Sequence, residues 1–522
     1  MTVLFSFAQG FPTAPLGFVS GSVASATIIW YAATVIYRVY FHPLASIPGP
    51  WLARATHLYC FYYNCIRGGR FYLEIERMHK RYGPVVRISP DEVHLSDPEN
   101  YDRINYVGTP YSKSPVFYGG FGTDQATFTT PSNELHRVKR AALNPFFSPR
   151  RVLELESIVQ EKARKLEERI KSALQRSASV NLHHGFRAVS VDVITDYAFD
   201  NCYNLLEQDD FGVPFFSMIR DSGTAVWFFQ QFPLLKAFAF AIPFWLAKLV
   251  SGSLTMMIMM QQACRRQILR VKASVCAAEE RQTSRTTIFH QLLKPDTVKD
   301  YVVPTVEQLV HEAYIIVAAA ADTTGNAMTI ALYNSVLNRE IYNRLTTEMK
   351  NAFPDPDAEF DLMTLEKLPY LVGIAILFCL TQPSAELSYG VIGRLPRVVP
   401  TSGAEFNGYT MPAGTIVSMG AWMMHRNETL FPDPDKFDPS RWLNPAASQR
   451  LDRYLVAFGK GSRQCVGMPL AYCELRITLG RIFRRFDNLT TERRSREELM
   501  YDDFFSYHPE GKNKFVFSVA SQ

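Results

Sequence analysis

The strongest constraint on this chain is a ten-residue stretch near its end, Phe458-Gly459-Lys460-Gly461-Ser462-Arg463-Gln464-Cys465-Val466-Gly467. A lone cysteine in a long chain is ordinarily a small buried hydrophobe. Here the neighbours point elsewhere. Glycines at 461 and 467 let the backbone pass close to something flat on either side of the sulfur. Arg463 places a fixed cation two residues from the thiol, ready to pair with an anionic group. Phe458 offers a ring that shields the sulfur from water. Held this way, Cys465 suits a metal-ligating thiolate better than a piece of core.

A thiolate in such a loop fits the axial position of heme iron, where its electron density favours O–O cleavage. The pattern Phe-x-x-Gly-x-Arg-x-Cys-x-Gly resembles the signature of the cytochrome P450 heme-thiolate monooxygenases, and every specified position matches. The resemblance implies heme b (iron protoporphyrin IX) with Cys465 as metal ligand, and Arg463, Phe458 and Gly467 around the cofactor. It also implies a mainly α fold with a small β-sheet region.

The length of 522 residues is compatible with several domains, yet no linker, repeat or low-complexity tract divides the chain after its first fifty residues. One large domain over 46–522 is therefore expected, preceded by an anchor and hinge at 1–45. Lys and Arg total 55 against 50 Asp and Glu, a net charge of +5, too mild and dispersed for nucleic acid. Eight cysteines without paired metal spacing read as reduced thiols.

No charged residue precedes Arg38, and Leu16 to Tyr37 is a mostly apolar span, long enough to cross a bilayer. Arg38, Arg54, Arg67 and Arg70 follow before the first acid, Glu74, which by the positive-inside rule leaves the main domain in the cytosol. Ile47-Pro48-Gly49-Pro50 stiffens the exit, and microsomal members of the resembled family carry a similar hinge. A single transmembrane helix in the endoplasmic reticulum membrane is expected. A buried hairpin of the main domain is the competing reading.

Further along, Val85–Ile88 and Val93–Leu95 read as short strands. Residues 150–173 show helical periodicity. Residues 224–260 are very apolar, but Pro233, Lys236, Pro243 and Lys248 interrupt them, which argues against a second span. They suit a segment lying on a membrane or lining an apolar pocket, with plain core helix as the competing reading. A helix opening at Pro304 or Thr305 runs past 335 and carries a run of small residues, Ala318 to Ala321, then Asp322-Thr323-Thr324-Gly325. Thr323 can bond the carbonyl one turn back and open the helix locally. The tract resembles the family's oxygen-activating helix, with Ala320 where glycine is usual. The resemblance assigns proton delivery to Asp322 and Thr323.

Heme propionates need cations at the rim. By resemblance, His136 and Arg140 in His136-Arg137-Val138-Lys139-Arg140, and Arg397 in Leu395-Pro396-Arg397, join Arg463 there. Lys460 and Arg476 would add an attractive face for an acidic electron donor. Phe437-Asp438-Pro439-Ser440-Arg441-Trp442 resembles a further family segment, whose arginine normally pairs with a Glu-x-x-Arg helix. That helix is missing. Between Leu371 and Leu387 the chain reads VGIAILFCLTQPSAE, where Glu386 has no arginine three residues on and Pro383 would end a helix. A retained intron or shifted splice boundary accounts for this, with genuine divergence as the other reading. An Arg441 stranded without its acid partner would bind heme poorly or leave the fold marginal.

The text around 387–443 looks most like fungal microsomal members, trichodiene-oxygenase-like ones in particular. The implied function is insertion of one oxygen atom from O2 into an apolar, terpenoid-type intermediate of secondary metabolism. Electrons would come from NADPH through a flavoprotein reductase. An inactive or poorly folding splice variant is the alternative. Peroxide-driven or rearrangement chemistry is a third reading, opposed by the Asp322-Thr323 pair.

Overall fold

Apolar periodicity becomes helix along most of the chain. The computed structural model describes residues 16–199, 201–278, 287–294, 302–377, 390–434, 436–494, 501–504, 506–509 and 515–519. Its axis is Val306–Leu337, a 32-residue helix. Thr305 caps it reciprocally: Gln308 N donates to the Thr305 hydroxyl at 3.3 Å, and Thr305 N donates to Gln308 Oε1 at 2.8 Å. The helix is apolar on nearly every side and therefore lies in the core, although it is long enough to span a membrane.

Leu182–Phe199 packs along this axis. The two backbones meet at Gly325, where a Cβ would stand 2.7 Å from Arg187 Cα. Glu156–Gln175 and Met468–Arg485 complete the main core, which includes Leu166, Phe186, Leu332 and Leu475. The single helix expected over 150–173 is two, Pro149–Glu154 and Glu156–Gln175. Leu155, at ψ −5°, turns the chain between them and buries its own side chain.

A five-stranded sheet flanks the helices. Its order is Val85–Arg87, Glu92–Leu95, Ile416–Ser418, Arg397–Val398, Ser112–Lys113, antiparallel except for the pairing of Glu92–Leu95 with Ile416–Ser418. The apolar tract at 224–260 is split among Val213–Gln231, Pro233–Ala241, Phe244–Val250 and Gly252–Ala278, so no continuous span forms there. Leu234, Phe238, Trp245 and Leu249 on the short pieces are exposed.

The N-terminal helix Leu16–Ile36 ends in a π turn, Tyr37–Phe41. Residues 22–33 are exposed throughout, so the described part of this helix is not a buried hairpin of the domain. The chain beyond it, from Arg38 to Ala55, is braced internally: Arg38 Nη1 donates to Ala55 O at 3.1 Å, and Arg54 Nη2 to Val39 O at 2.6 Å and Ala45 O at 2.8 Å. The fully buried Arg87 donates from Nη1 to Arg38 O at 2.8 Å and Leu44 O at 3.3 Å.

Pro369–Leu377 forms a helix whose first N–H groups, on Tyr370 and Leu371, donate to the Glu348 carboxylate at 2.9 and 2.8 Å. Residues 378–389, with Pro383 and Glu386, lie outside the described residues. Among the described cysteines, 60, 65, 202, 264, 465 and 473 are free thiols.

Candidate active site

The cysteine loop is closed by its own backbone. Cys465 N donates to Phe458 O at 2.8 Å and Gln464 N to Gly461 O at 3.1 Å. Gly459 and Gly461 have φ of +65° and +66°, the left-handed region that favours glycine. Gly461 has a second reason to lack a side chain: its Cβ would lie 2.5 Å from the carbonyl carbon of Tyr106. The close approach expected there for a flat partner is thus taken by the chain itself. Gly467, which precedes Met468–Arg485, has open space on its Cβ side. The Phe458 ring packs on Tyr472, with centroids 5.3 Å apart.

Cys465 carries accessible surface. Burial pushes its thiol up, while the N–H groups of Gly467 and Met468 and the Arg140 guanidinium act in the opposite direction.

The expected cations converge near this sulfur. Arg463 donates from Nη1 to Thr130 O at 2.8 Å and from Nη2 to Pro131 O at 2.8 Å and Asn133 Oδ1 at 2.9 Å. Its Nε is buried without a partner among the described residues. Arg397 Nη1 donates to the Tyr118 hydroxyl at 2.9 Å, and Arg140 Nε to Asn144 Oδ1 at 2.7 Å. Burial, then Arg463, Lys113, Arg140 and Arg397, push buried His136 down to about 3. Burial and the neighbouring Arg397 and Arg140 push Arg463 down to about 10.

Lys113 belongs to the same group and was not anticipated. Among the described residues, no carboxylate figures among the principal influences on Lys113, His136 or Arg463, while Glu312 acts on Arg140. Three buried bases, Lys113, His136 and Arg397, with the partly buried Arg140 and Arg463 beside them and little anionic balance, suit an anion from outside the chain. The two propionates of heme supply that charge, and Cys465 supplies a soft ligand for its iron. The residues present fit heme.

The proton-delivery pair is arranged otherwise than expected. Thr323 Oγ1 donates to Ala319 O at 2.8 Å, as predicted, yet the helix continues unbroken through 337. The backbone stays helical through the motif although Ala319 is exposed and Ala318, Ala320 and Thr323 are half-buried. Asp322 is buried and ion-paired with Arg187, whose Nε also donates to Ala321 O at 3.4 Å. The Arg187 guanidinium lies 4.0 Å from the Phe216 ring centroid. Sequence reasoning missed Arg187, although an arginine within the apolar run 185–194 carries the same signal that singled out Asp322.

Two other expectations change. Lys460 is paired with Asp102 at 3.0 Å and Arg476 with Glu366 at 2.6 Å, so neither offers an unopposed charge to a partner. Arg441 is not stranded: its guanidinium donates to the carbonyls of Pro432, Asp433 and Lys436 at 3.1, 3.1 and 3.2 Å. Its Nε remains buried without a partner among the described residues.

Comparison with known proteins agrees with this geometry. The family model described as Cytochrome P450 matches residues 54–375 and 388–515. The chain is 35% identical over 494 residues to a cytochrome P450 monooxygenase of Ascocoryne sarcoides, covering 92% of this chain and 95% of that protein. It is 32% identical over 480 residues to a cytochrome P450 monooxygenase of Fusarium sporotrichioides, covering 91% and 89%. To the conidiogenone synthase of Penicillium rubens it is 33% identical over 457 residues, covering 87% and 89%.

Proposed function

The chain belongs to the cytochrome P450 family, and from that premise we propose that it inserts one oxygen atom from O2 into an apolar, terpenoid-type intermediate of secondary metabolism. The observation that carries the reading is the accessible Cys465, with the Gly467 and Met468 N–H groups and Arg140 acting on its sulfur, in a loop whose Arg463 clusters with Arg397, Arg140 and His136. Heme b, the family's cofactor, supplies oxygen activation through its thiolate-ligated iron when bound. The protein does the rest. The Gly467 and Met468 N–H groups steady the sulfur, and Arg463, Arg397, Arg140 and His136 hold the propionate end. Thr323 and Asp322 are the groups assigned to moving protons. Apolar residues of the 213–260 segment favour a substrate without charge, and the likeness to fungal monooxygenases and to a conidiogenone synthase supports a biosynthetic oxidation.

Residues 1–45 serve as anchor and hinge of a single-pass protein of the endoplasmic reticulum, with the domain 46–522 in the cytosol. Electrons arrive from NADPH through a flavoprotein reductase. The exposed apolar helix at 22–33 and the arginines after it support this placement.

A second reading, a splice product that holds heme poorly, is favoured by one observation: the family match stops at 375 and resumes at 388. One experiment separates the two. The expressed chain is reduced and exposed to carbon monoxide, and its difference spectrum and heme content are recorded. A thiolate–heme band at close to one heme per chain, lost in Cys465→Ser, is expected. A wild-type chain without that band refutes the monooxygenase reading, and genomic sequence around codons 372–387 then shows whether another splice choice restores Glu-x-x-Arg. With reductase and NADPH, oxygen from labelled O2 should enter an apolar terpenoid. Its absence from every such substrate would refute the substrate class.

A further inference from the structure

Lys113 lies on the edge strand Ser112–Lys113, only 4% exposed. The register sets it directly opposite Arg397. Like charges so placed on paired strands repel, and burial deepens the cost. Two aromatic faces and one carbonyl offset part of it. The Lys113 ammonium stands 4.1 Å from the Tyr118 ring centroid and 3.8 Å from that of Phe128, and donates to Phe128 O at 2.5 Å. Tyr118 is fully buried, and its hydroxyl accepts from Arg397 Nη1. Ammonium, ring, hydroxyl and guanidinium therefore form one connected arm, pointing from the sheet edge into the ring of bases. Arg397, Arg463 and Arg140 all oppose the Lys113 charge, and burial opposes it most. An amine buried among cations gains its balancing charge only from an anion that enters with a ligand.

We propose that Lys113 is a positioning residue for the propionate end of the heme: it fixes the Tyr118–Arg397 arm and contributes a buried positive charge that raises the iron's midpoint potential and slows cofactor loss. This rests on the heme reading above. The sign follows from electrostatics. Reduction adds an electron, and a nearby buried cation favours the more negative state, with little screening by salt. A structural lysine that merely filled the edge strand would move neither quantity once the fold was intact.

The test uses the full heme-loaded chain as wild type, Lys113→Met, Lys113→Arg and Tyr118→Phe. Heme stoichiometry is measured first, then the midpoint by spectroelectrochemistry and the rate of heme transfer to an excess of scavenging apoprotein. Lys113→Met is expected to have a lower midpoint and to lose heme on the order of tenfold faster, the loss of one charge-assisted interaction. Lys113→Arg should stay near wild type. Tyr118→Phe should shift both readouts in the same direction by less. A Lys113→Met protein with one heme per chain and wild-type midpoint and loss rate overturns the inference, as does a Lys113→Arg protein that behaves like Lys113→Met. Where Lys113→Met does not accumulate folded, an unchanged Tyr118→Phe protein overturns it. A wild-type chain that takes up no heme overturns the function reading and this inference together, and the stoichiometry distinguishes that failure from the others.

Discussion

Glu474 shows how a single buried side chain sets a property of the whole protein. It sits on Met468–Arg485, 2% exposed, and its Oε2 accepts from the Ser190 hydroxyl at 2.7 Å. Burial pushes its carboxyl up to about 8, with the Ser190 bond acting in the other direction. The folded protein therefore keeps a proton that the unfolded chain releases above its ordinary value near 4.5. Stability contributed at low pH is lost as pH rises from that value toward 8. Glu474→Gln should raise the thermal midpoint at pH 8, by an amount equivalent to roughly 3–5 kcal/mol, and leave it nearly unchanged near pH 4. An equal effect at both pH values would show that the proton is not the cause. Residues of this kind differ in how legible they are in sequence. Cys465, Arg463, Arg397, Arg140 and His136 could be named because their types recur at fixed positions around a recognisable loop, and the structure gathers them. Lys113 and Tyr118 could not, because only strand register brings position 113 opposite 397.

The meeting of Leu182–Phe199 with Val306–Leu337 depends on one missing methyl group. At Gly325 an added Cβ would press on Arg187 backbone atoms at 2.7 and 2.9 Å, which cannot yield as a flexible side-chain end would. Alanine is worth about 1 kcal/mol more than glycine inside a helix, yet Gly325→Ala should lower the thermal midpoint because the helices must separate. The same contact sets Arg187 beside Asp322. Arg187→Leu leaves a buried carboxylate without its principal partner and should cost roughly 3–5 kcal/mol. The double variant Arg187→Leu/Asp322→Leu should regain most of that loss, as apolar replacement of buried pairs often does. A double variant as unstable as the single one would show that the pair is not the source. Helices of this length were legible in the sequence: the apolar repeat and the Thr305 cap located the start of Val306–Leu337 within a residue or two and carried it past 335. The turn at Leu155 was not, since one residue of altered ψ leaves the apolar repeat on both sides intact. Two-residue strands such as Ser112–Lys113 and Arg397–Val398 are too short to carry any periodicity.

At the scale of the whole molecule, exposed apolar surface lies both on the N-terminal helix and on the domain. Arg38 and Arg54 brace residues 38–55 internally, and Arg87 ties them to the sheet through the carbonyls of Arg38, Leu44 and Pro48, so removal of 1–36 should leave a folded domain. That domain keeps an apolar surface. Leu234, Phe238, Trp245 and Leu249 are exposed on two short helices, and Phe232 beside them meets Phe61 with ring centroids 5.5 Å apart. Phe61 belongs to a region that also exposes Leu58, Tyr62 and Ile66, near the exit of the N-terminal helix. Composition suggested that the interrupted tract at 224–260 could lie on a membrane, but it did not show that this tract meets 58–66 through Phe232 and Phe61, because that contact spans more than 160 positions in the chain. Burying three large side chains in a bilayer contributes roughly 5 kcal/mol, a partition of about a thousandfold or more. A chain lacking 1–36 should accordingly still co-sediment with lipid vesicles. Replacing Phe238, Trp245 and Leu249 together by serine in that shortened chain should release it to the supernatant with its thermal midpoint unchanged. Vesicle binding that survives the triple replacement would place the membrane contact elsewhere on the molecule.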